Sequence, residues 1–283
     1  MRFLIYSKAL YSSWVFYSPD RIAFDAGEGI STMLGNKVFA IERVFLSHGH
    51  ADHITGLIGL INIRNSGMGD TEKPLTIYYP QDNWRVLELI SYIRRTNRRL
   101  KYRLEWVPLS VGDRVTLFSG QCDRYVETFK AVHSDNEISL GYNIVEHRKR
   151  LKPHYRDLPQ EEILKLVRAG KREEISETYV KKLVSYGGDS IALDPRDVAG
   201  TDILLHDCTF LTEEEREDYK HATLSEALEV ALRAQVQEAF MAIHISSRYK
   251  QKLKEIEEQL IREHPKLPFK VIFVPPGKLF RYE

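Results

Sequence analysis

Within six consecutive residues the chain places His48, His50, Asp52 and His53, directly after the apolar run Val44-Phe45-Leu46. Imidazole and carboxylate are the ligands that Zn²⁺ accepts where a water position must stay open, and a short buried strand stopping at a ligand-rich turn holds them on rigid backbone. In an extended or turn segment His48 and His50 point the same way. Asp52 and His53 fall at the opening of a helix predicted over 55–61 and so address a second position. One loop can then feed two ions about 3.5–4 Å apart, the arrangement that clamps the attacking and leaving oxygens of a hydrolysis. A bare His-x-His is more often a surface loop or an adventitious scavenger. The added Asp52 and His53 set this stretch apart from that.

Other chemistry-bearing residues stand at the ends of predicted strands: His133, Asp189 after Gly187-Gly188, His206 and Asp207, and His244. Two zinc ions need roughly seven or eight protein ligands with a position left for water. His48, His50, Asp52, His53, His133 and His244, bridged by Asp189, supply seven. His221 has a separate setting. Thr223-Leu224-Ser225-Glu226 is a capping-box pattern, so His221 lies just before a helix N-terminus, where the dipole disfavours imidazolium. A carboxylate would restore its proton, and Asp207 is the candidate to orient the ring for donation to a departing oxygen.

The elements that must position these residues are mostly short apolar strands, predicted at 3–6, 14–17, 21–24, 44–46, 75–79, 104–107, 115–118, 126–132, 141–145, 203–205, 239–245 and 271–274. Helical periodicity falls at 84–95, 161–169, 224–234 and 250–263. Strands outnumber helices, and the helices are inserted between strand groups, so an α+β fold of two packed sheets flanked by helices fits best. With 283 residues, 43% of them hydrophobic, and no linker-like tract, the expectation is one domain over 1–283. No run of about 18 apolar residues and no leader-like start is present, which predicts a soluble, unexported protein with no membrane association. Cys122 and Cys208 are the only thiols, too few for a disulfide framework and suited to a reducing cytoplasm.

The formal net charge is +1, which by itself implies no nucleic acid, but the cations are clustered. Six of the ten residues from Arg94 to Arg103 are basic, Arg94, Arg95, Arg98 and Arg99 among them. Nine more lie between Arg148 and Arg172, starting with Arg148, Lys149, Arg150 and Lys152. Charge runs are often solvated helix faces; two blocks in a near-neutral chain suggest a phosphate-tracking surface.

Taken together the motifs resemble the metallo-β-lactamase fold and, within it, the tRNA 3′-processing endonucleases called ribonuclease Z, in their short bacterial form. His48-x-His50-x-Asp52-His53 is the general signature of the fold and fixes no substrate. Phe24-Asp25-Ala26-Gly27-Glu28-Gly29 is similar to the family's first motif, which implies that Asp25 supports the metal loop. His133 with Ser139-Leu140-Gly141-Tyr142 resembles the third-histidine segment, and Gly188-Asp189-Ser190 the bridging aspartate. His206-Asp207-Cys208-Thr209-Phe210, His221-Ala222-Thr223 and His244-Ile245-Ser246-Ser247-Arg248-Tyr249 are similar to the later motifs, with Ser246 and Arg248 implied at the substrate. Asp207 stands where the family usually has glutamate, so its reach to His221 must come from backbone placement. Between 146 and 186 the family carries a tRNA-gripping arm with a Gly-Pro motif. This chain has the basic insertion, the candidate tRNA-binding arm, without Gly-Pro.

The resemblance implies an αββα sandwich, two Zn²⁺ per subunit (Mn²⁺ or another divalent ion in their place), a homodimer in which one subunit holds precursor tRNA and the other cuts it, and products with a 3′-OH on the tRNA and a 5′-phosphate on the trailer. Hydroxide shared by the two metals would attack in line, oriented by Asp52, with His221 set by Asp207 to protonate the leaving 3′-oxygen. Two other readings share these residues: a hydrolase of a small ester or phosphodiester, which needs no extended basic surface, and a non-catalytic RNA-binding subunit, which needs no complete ligand set.

Overall fold

The computed structural model describes residues 2–67, 73–118, 123–134, 136–216 and 219–283; Cys122 lies outside them. Strands β1 (Phe3–Lys8), β2 (Ser12–Tyr17), β3 (Ile22–Phe24), β4 (Arg43–Phe45), β5 (Leu75–Pro80) and β6 (Leu104–Leu109) form one sheet with the last strand, β14 (Phe280–Tyr282). Its order is β14-β1-β2-β3-β4-β5-β6. The second sheet holds β7 (Arg114–Phe118), β8 (Arg124–Ala131), β9 (Ser139–Leu151), β10 (Ser176–Tyr186), β11 (Ile203–Asp207), β12 (Ala239–Ile243) and β13 (Lys270–Phe273). Its order is β13-β12-β11-β10-β9-β8-β7. Each sheet changes from antiparallel to parallel pairing part-way across, at β3 in one and β10 in the other.

Period-two alternation sorts each strand between two cores. Phe3 and Ile5 of β1 enter the layer between the sheets, which also holds Phe24, Phe45, Tyr142, Tyr186 and Met241. Leu4 of the same strand faces the opposite way, into a second core under α1 (Ile30–Leu34), α3 (Gly56–Gly67) and α4 (Trp84–Thr96). Leu204, Phe240 and Ala242 face α7 (Leu224–Arg233) and α8 (Leu253–Glu263) on the outer side of the second sheet. The result is helix, sheet, sheet, helix, as the residue pattern implied.

Two strands, β10 and β14, escape the sequence pattern, and so do the short helices α1 and α6 (Arg172–Ile175). The first half of β10, from Ser176 to Lys182, is exposed or half-buried throughout, so no apolar alternation marks it. It pairs with β9 as a ribbon from Tyr142↔Tyr186 out to Leu151↔Ser176. Beyond residue 147 that ribbon pairs with no other strand among the described residues. Its tip, 152–175, carries α5 (Gln160–Arg168) and α6 (Arg172–Ile175), and Ile175 alone among the tip residues is buried. The basic insertion therefore projects from the sandwich. Among the described residues no helix is long and apolar enough to cross a membrane.

Phe24 locks the two sheets beside the strand tips, its ring centroid 5.0 Å from Tyr186, 6.0 Å from Tyr142 and 6.1 Å from Phe45. Truncating a fully buried aromatic of this kind costs about 3–5 kcal/mol. Phe24→Ala is therefore expected to lose that much stability in urea unfolding, and a loss below about 1 kcal/mol would show that the two sheets are not joined there.

Candidate metal centre

Strand tips of both sheets meet at one edge of the sandwich. β4 runs on into Leu46-Ser47-His48, β8 towards His133, β10 into Gly187-Gly188-Asp189, β11 ends on Asp207 and β12 delivers His244. His50 is extended, with φ −65° and ψ 148°, and caps the short helix α2 (Ala51–Ile54) that carries Asp52 and His53. His48 and His50 accordingly face one point with His133, while Asp52 and His53 face another with Asp189 and His244. A third grouping joins Asp189 and His244 to Asp207 and His221, the ligand atoms of each group lying within 4.8 Å of one another.

In the first group the His50 Nδ1 lies 3.0 Å from His48 Nε2 and 3.1 Å from His133 Nε2. In the second, Asp189 reaches His53 Nε2 and His244 Nε2 at 3.2 Å each, and Asp52 lies 3.7 and 3.6 Å from the same two nitrogens. The charge of Asp189 is also felt by His48, His50 and His133 in the first group.

Five imidazoles are held from behind at Nδ1, which fixes the tautomer and aims Nε2 inward. Asp25, fully buried, accepts from His53 Nδ1–H at 2.8 Å, from Tyr186 Oη at 2.6 Å, and from the Ser47 amide at 2.6 Å and hydroxyl at 2.7 Å. The Ser47 hydroxyl in turn accepts from His48 Nδ1–H at 2.9 Å. Asp207 is the counterpart on the other sheet. It accepts from His221 Nδ1–H at 2.6 Å and from the Thr209 hydroxyl at 2.8 Å, and that hydroxyl accepts from His244 Nδ1–H at 2.9 Å. The Ser190 amide, next to Asp189, donates to Asp207 at 3.1 Å. The shorter side chain thus reaches His221 from the strand end. His133 Nδ1–H donates to the Lys220 carbonyl at 3.0 Å.

Burial, followed by neighbouring imidazoles, drives His48 well below its ordinary value, and burial lowers His50 and His133; these rings are neutral donors of a lone pair. His53 goes the other way. Burial opposes its charge, yet Asp189 and Asp25 together raise it well above the ordinary range. Asp189 is held well below the carboxylate range, because His244 and His53 outweigh the penalty of its burial. His53 Nε2 and His244 Nε2 are buried without a hydrogen-bond partner. Converging neutral imidazoles, unsatisfied inward nitrogens and surplus carboxylate charge fit divalent cations.

One clamp was missed in the sequence. Glu137, buried, accepts from the Gly49 amide at 2.7 Å, from Asn83 Nδ2 at 2.6 Å and from Arg85, clamping the turn between His48 and His50. A Cβ on Gly49 would lie 2.3 Å from Asn83 Oδ1, so only glycine fits. Gly188, at φ +63°, would place a Cβ 2.5 Å from Ser47 Cβ: its smallness serves closure against the His48 loop. His206 does not join the site; it is buried, accepting from the Leu193 amide at 3.2 Å. Ser246 and the exposed Arg248 lie at the rim just after His244, with Arg248 Nε 3.2 Å from Ser246 Oγ.

The family described as Beta-lactamase superfamily domain matches residues 20–152. The chain is 31% identical over 264 residues to Ribonuclease Z of Bacillus cereus (strain G9842), covering 83% of each. The chain belongs to the ribonuclease Z family. It is also 28% identical to "tRNase Z TRZ2, chloroplastic" of Arabidopsis thaliana, over 93% of this chain and 72% of the relative. The crystal structure of human tRNase Z, short form, superposes with a TM-score of 0.63 at 18% identity, covering 98% of both chains. As a ribonuclease Z family member on the metallo-β-lactamase fold, the protein is a nuclease of the hydrolase class with a site for divalent metal.

Outer partners of metal-binding histidines typically contribute 10–100-fold to metal affinity. Asp25→Asn is expected to weaken zinc by about that factor in competition with a chromophoric chelator. Unchanged affinity in a folded variant would show that Asp25 does not organise the site.

Proposed function

We propose that the protein removes 3′ trailers from precursor tRNA, hydrolysing the phosphodiester to leave a 3′-OH on the tRNA and a 5′-phosphate on the trailer. The observation that carries this reading is the His221–Asp207 pair, 2.6 Å apart, set against the seven-residue imidazole and carboxylate cage. His48, His50 and His133 would hold one Zn²⁺ and Asp52, His53 and His244 the other, with Asp189 shared. Two such ions supply Lewis acidity at the phosphoryl oxygens and lower the pKa of water to about 7.

The protein's own part is placement and proton handling. Asp52, in the first turn of α2 and only partly buried, accepts a hydrogen bond from the attacking water and orients it. His221 keeps its Nδ1–H donated to Asp207; in its doubly protonated form it gives the Nε2 proton to the departing 3′-oxygen and ends as the neutral ring. Ser246 and Arg248, which follow His244 closely in the chain, would meet a phosphate of the bound strand.

For holding tRNA the two basic blocks differ. β9 leaves the metal edge at Ser139 and reaches Leu151 about 35–40 Å further on, so the arm suits a substrate long enough to span that distance. Much of its charge is committed: Arg148 pairs with Glu146, Lys149 with Glu173 and Arg150 with Glu177. Lys152, Arg94, Arg95, Arg98 and Arg99 make no ion pair among the described residues. Arg94 and Arg95 lie at the end of α4 remote from the site, about 15 Å along its axis. Family resemblance supports a homodimer that divides holding from cutting between subunits.

Incubation with a 3′-extended tRNA transcript, with and without chelator, tests the reading: a single metal-dependent cut after the acceptor stem is expected, and chelator-resistant cleavage or none contradicts it. His221→Ala should lower kcat about 10²–10⁴-fold with zinc content unchanged by elemental analysis. Replacing 152–175 by a short turn should raise KM for precursor tRNA while leaving kcat and the melting temperature near wild type; an unchanged KM would remove the arm from the account.

A further inference from the structure

Two exposed aromatic side chains flank the cage, each attached to it through an anchored guanidinium. Trp84 is 58% exposed, with the Arg85 guanidinium 4.6 Å from its ring centre. Arg85 is tied to the buried Glu137, whose other oxygen holds the Gly49 amide between His48 and His50 at 2.7 Å. Tyr219 is 83% exposed, with the Arg216 guanidinium 4.3 Å from its ring centre. Arg216 pairs with Glu226 at 2.6 Å and donates to the His221 carbonyl at 3.0 Å.

The aromatics belong to opposite ends of a row of imidazoles. His50 and His133 ring centres are 4.9 Å apart and His133 and His221 4.8 Å apart. Trp84 is attached at the His50 end, Tyr219 at the His221 end. An aromatic ring left in water costs free energy unless something covers it, and one stiffened by a fixed cation is a stacking surface for a planar group of either sequence. Single-stranded nucleotides on both sides of a scissile phosphate present such groups.

Resting on the endonuclease reading, we infer that Trp84 and Tyr219 are stacking platforms for the two nucleobases that flank the cut. His221 protonates the leaving 3′-oxygen, so Tyr219 takes the base of the last retained nucleotide. Trp84 takes the first base of the trailer, whose phosphate remains in the cage. Together they hold the strand splayed across the imidazole row and fix which phosphodiester is cut.

A cycle of protein and RNA substitutions tests this. Trp84→Ala and Tyr219→Ala should each lower kcat/KM on 3′-extended tRNA roughly 5- to 150-fold, the range for a base stacked on an aromatic ring, and spread the cut over neighbouring positions. Trp84→Phe and Tyr219→Phe should retain most activity. On RNA abasic at the first trailer nucleotide the Trp84→Ala penalty should vanish while that of Tyr219→Ala persists, with the reverse for RNA abasic at the last retained nucleotide. A penalty that survives on both abasic RNAs, or a cut site that stays single, overturns the platforms while leaving the endonuclease intact. Wild-type protein that cuts no 3′-extended RNA overturns the endonuclease reading and this inference with it.

Discussion

Two buried carboxylates that never face the reaction hold the site together. Asp25 and Asp207 are fully buried, one at the end of β3 and the other at the end of β11, and each collects donors from several strand tips. Through Ser47 and Thr209 they extend their reach to His48 and His244, besides holding His53 and His221 directly. Burying an ion is costly unless its oxygens are fully hydrogen-bonded. Here the donors are the backbone amides, hydroxyls and imidazoles that must be aligned for metal binding, so the same contacts that make the carboxylates tolerable aim the rings. Asp25 is at φ 56° and His244 at φ 58°, backbone conformations that side-chain-bearing residues adopt at some cost. Both occur where the chain leaves a strand and must turn a functional group inward.

The sandwich supplies what such a cage needs. Parallel strands in each sheet bring their carboxyl ends to one edge, and the inter-sheet core beneath it is aromatic: Phe24, Phe45, Tyr142 and Tyr186. Two of these rings are also polar partners. Tyr186 donates to Asp25 and Tyr142 to the Leu46 carbonyl, so the packing that joins the sheets also sets the height of the metal loop.

How much was legible in the sequence follows from how local each interaction is. His48 to His53 declare themselves by spacing, and the capping box at Thr223 and Glu226 is seen in full in α7. His133, Asp189 and His244 could be read only as strand ends whose convergence needed the fold. Glu137 gave no signal, because its partner Gly49 is 88 residues away and an isolated glutamate looks like any surface acid. β10 was silent because half of it belongs to a projecting ribbon with little buried on either face. In that ribbon the cations were visible but not their tertiary partners, Glu173 and Glu177, which neutralise part of the block expected to meet RNA. The resemblance to ribonuclease Z supplied what spacing alone left open, the nuclease among the hydrolases of this fold.

The proposed cage holds two adjacent cations divided by Asp189. Anomalous diffraction at the zinc edge from crystals grown with zinc tests it directly. Two peaks are predicted, one at bonding distance from His48, His50 and His133, the other from Asp52, His53 and His244, with Asp189 touching both. A single peak, or metal bound elsewhere with these side chains unliganded, would contradict the account.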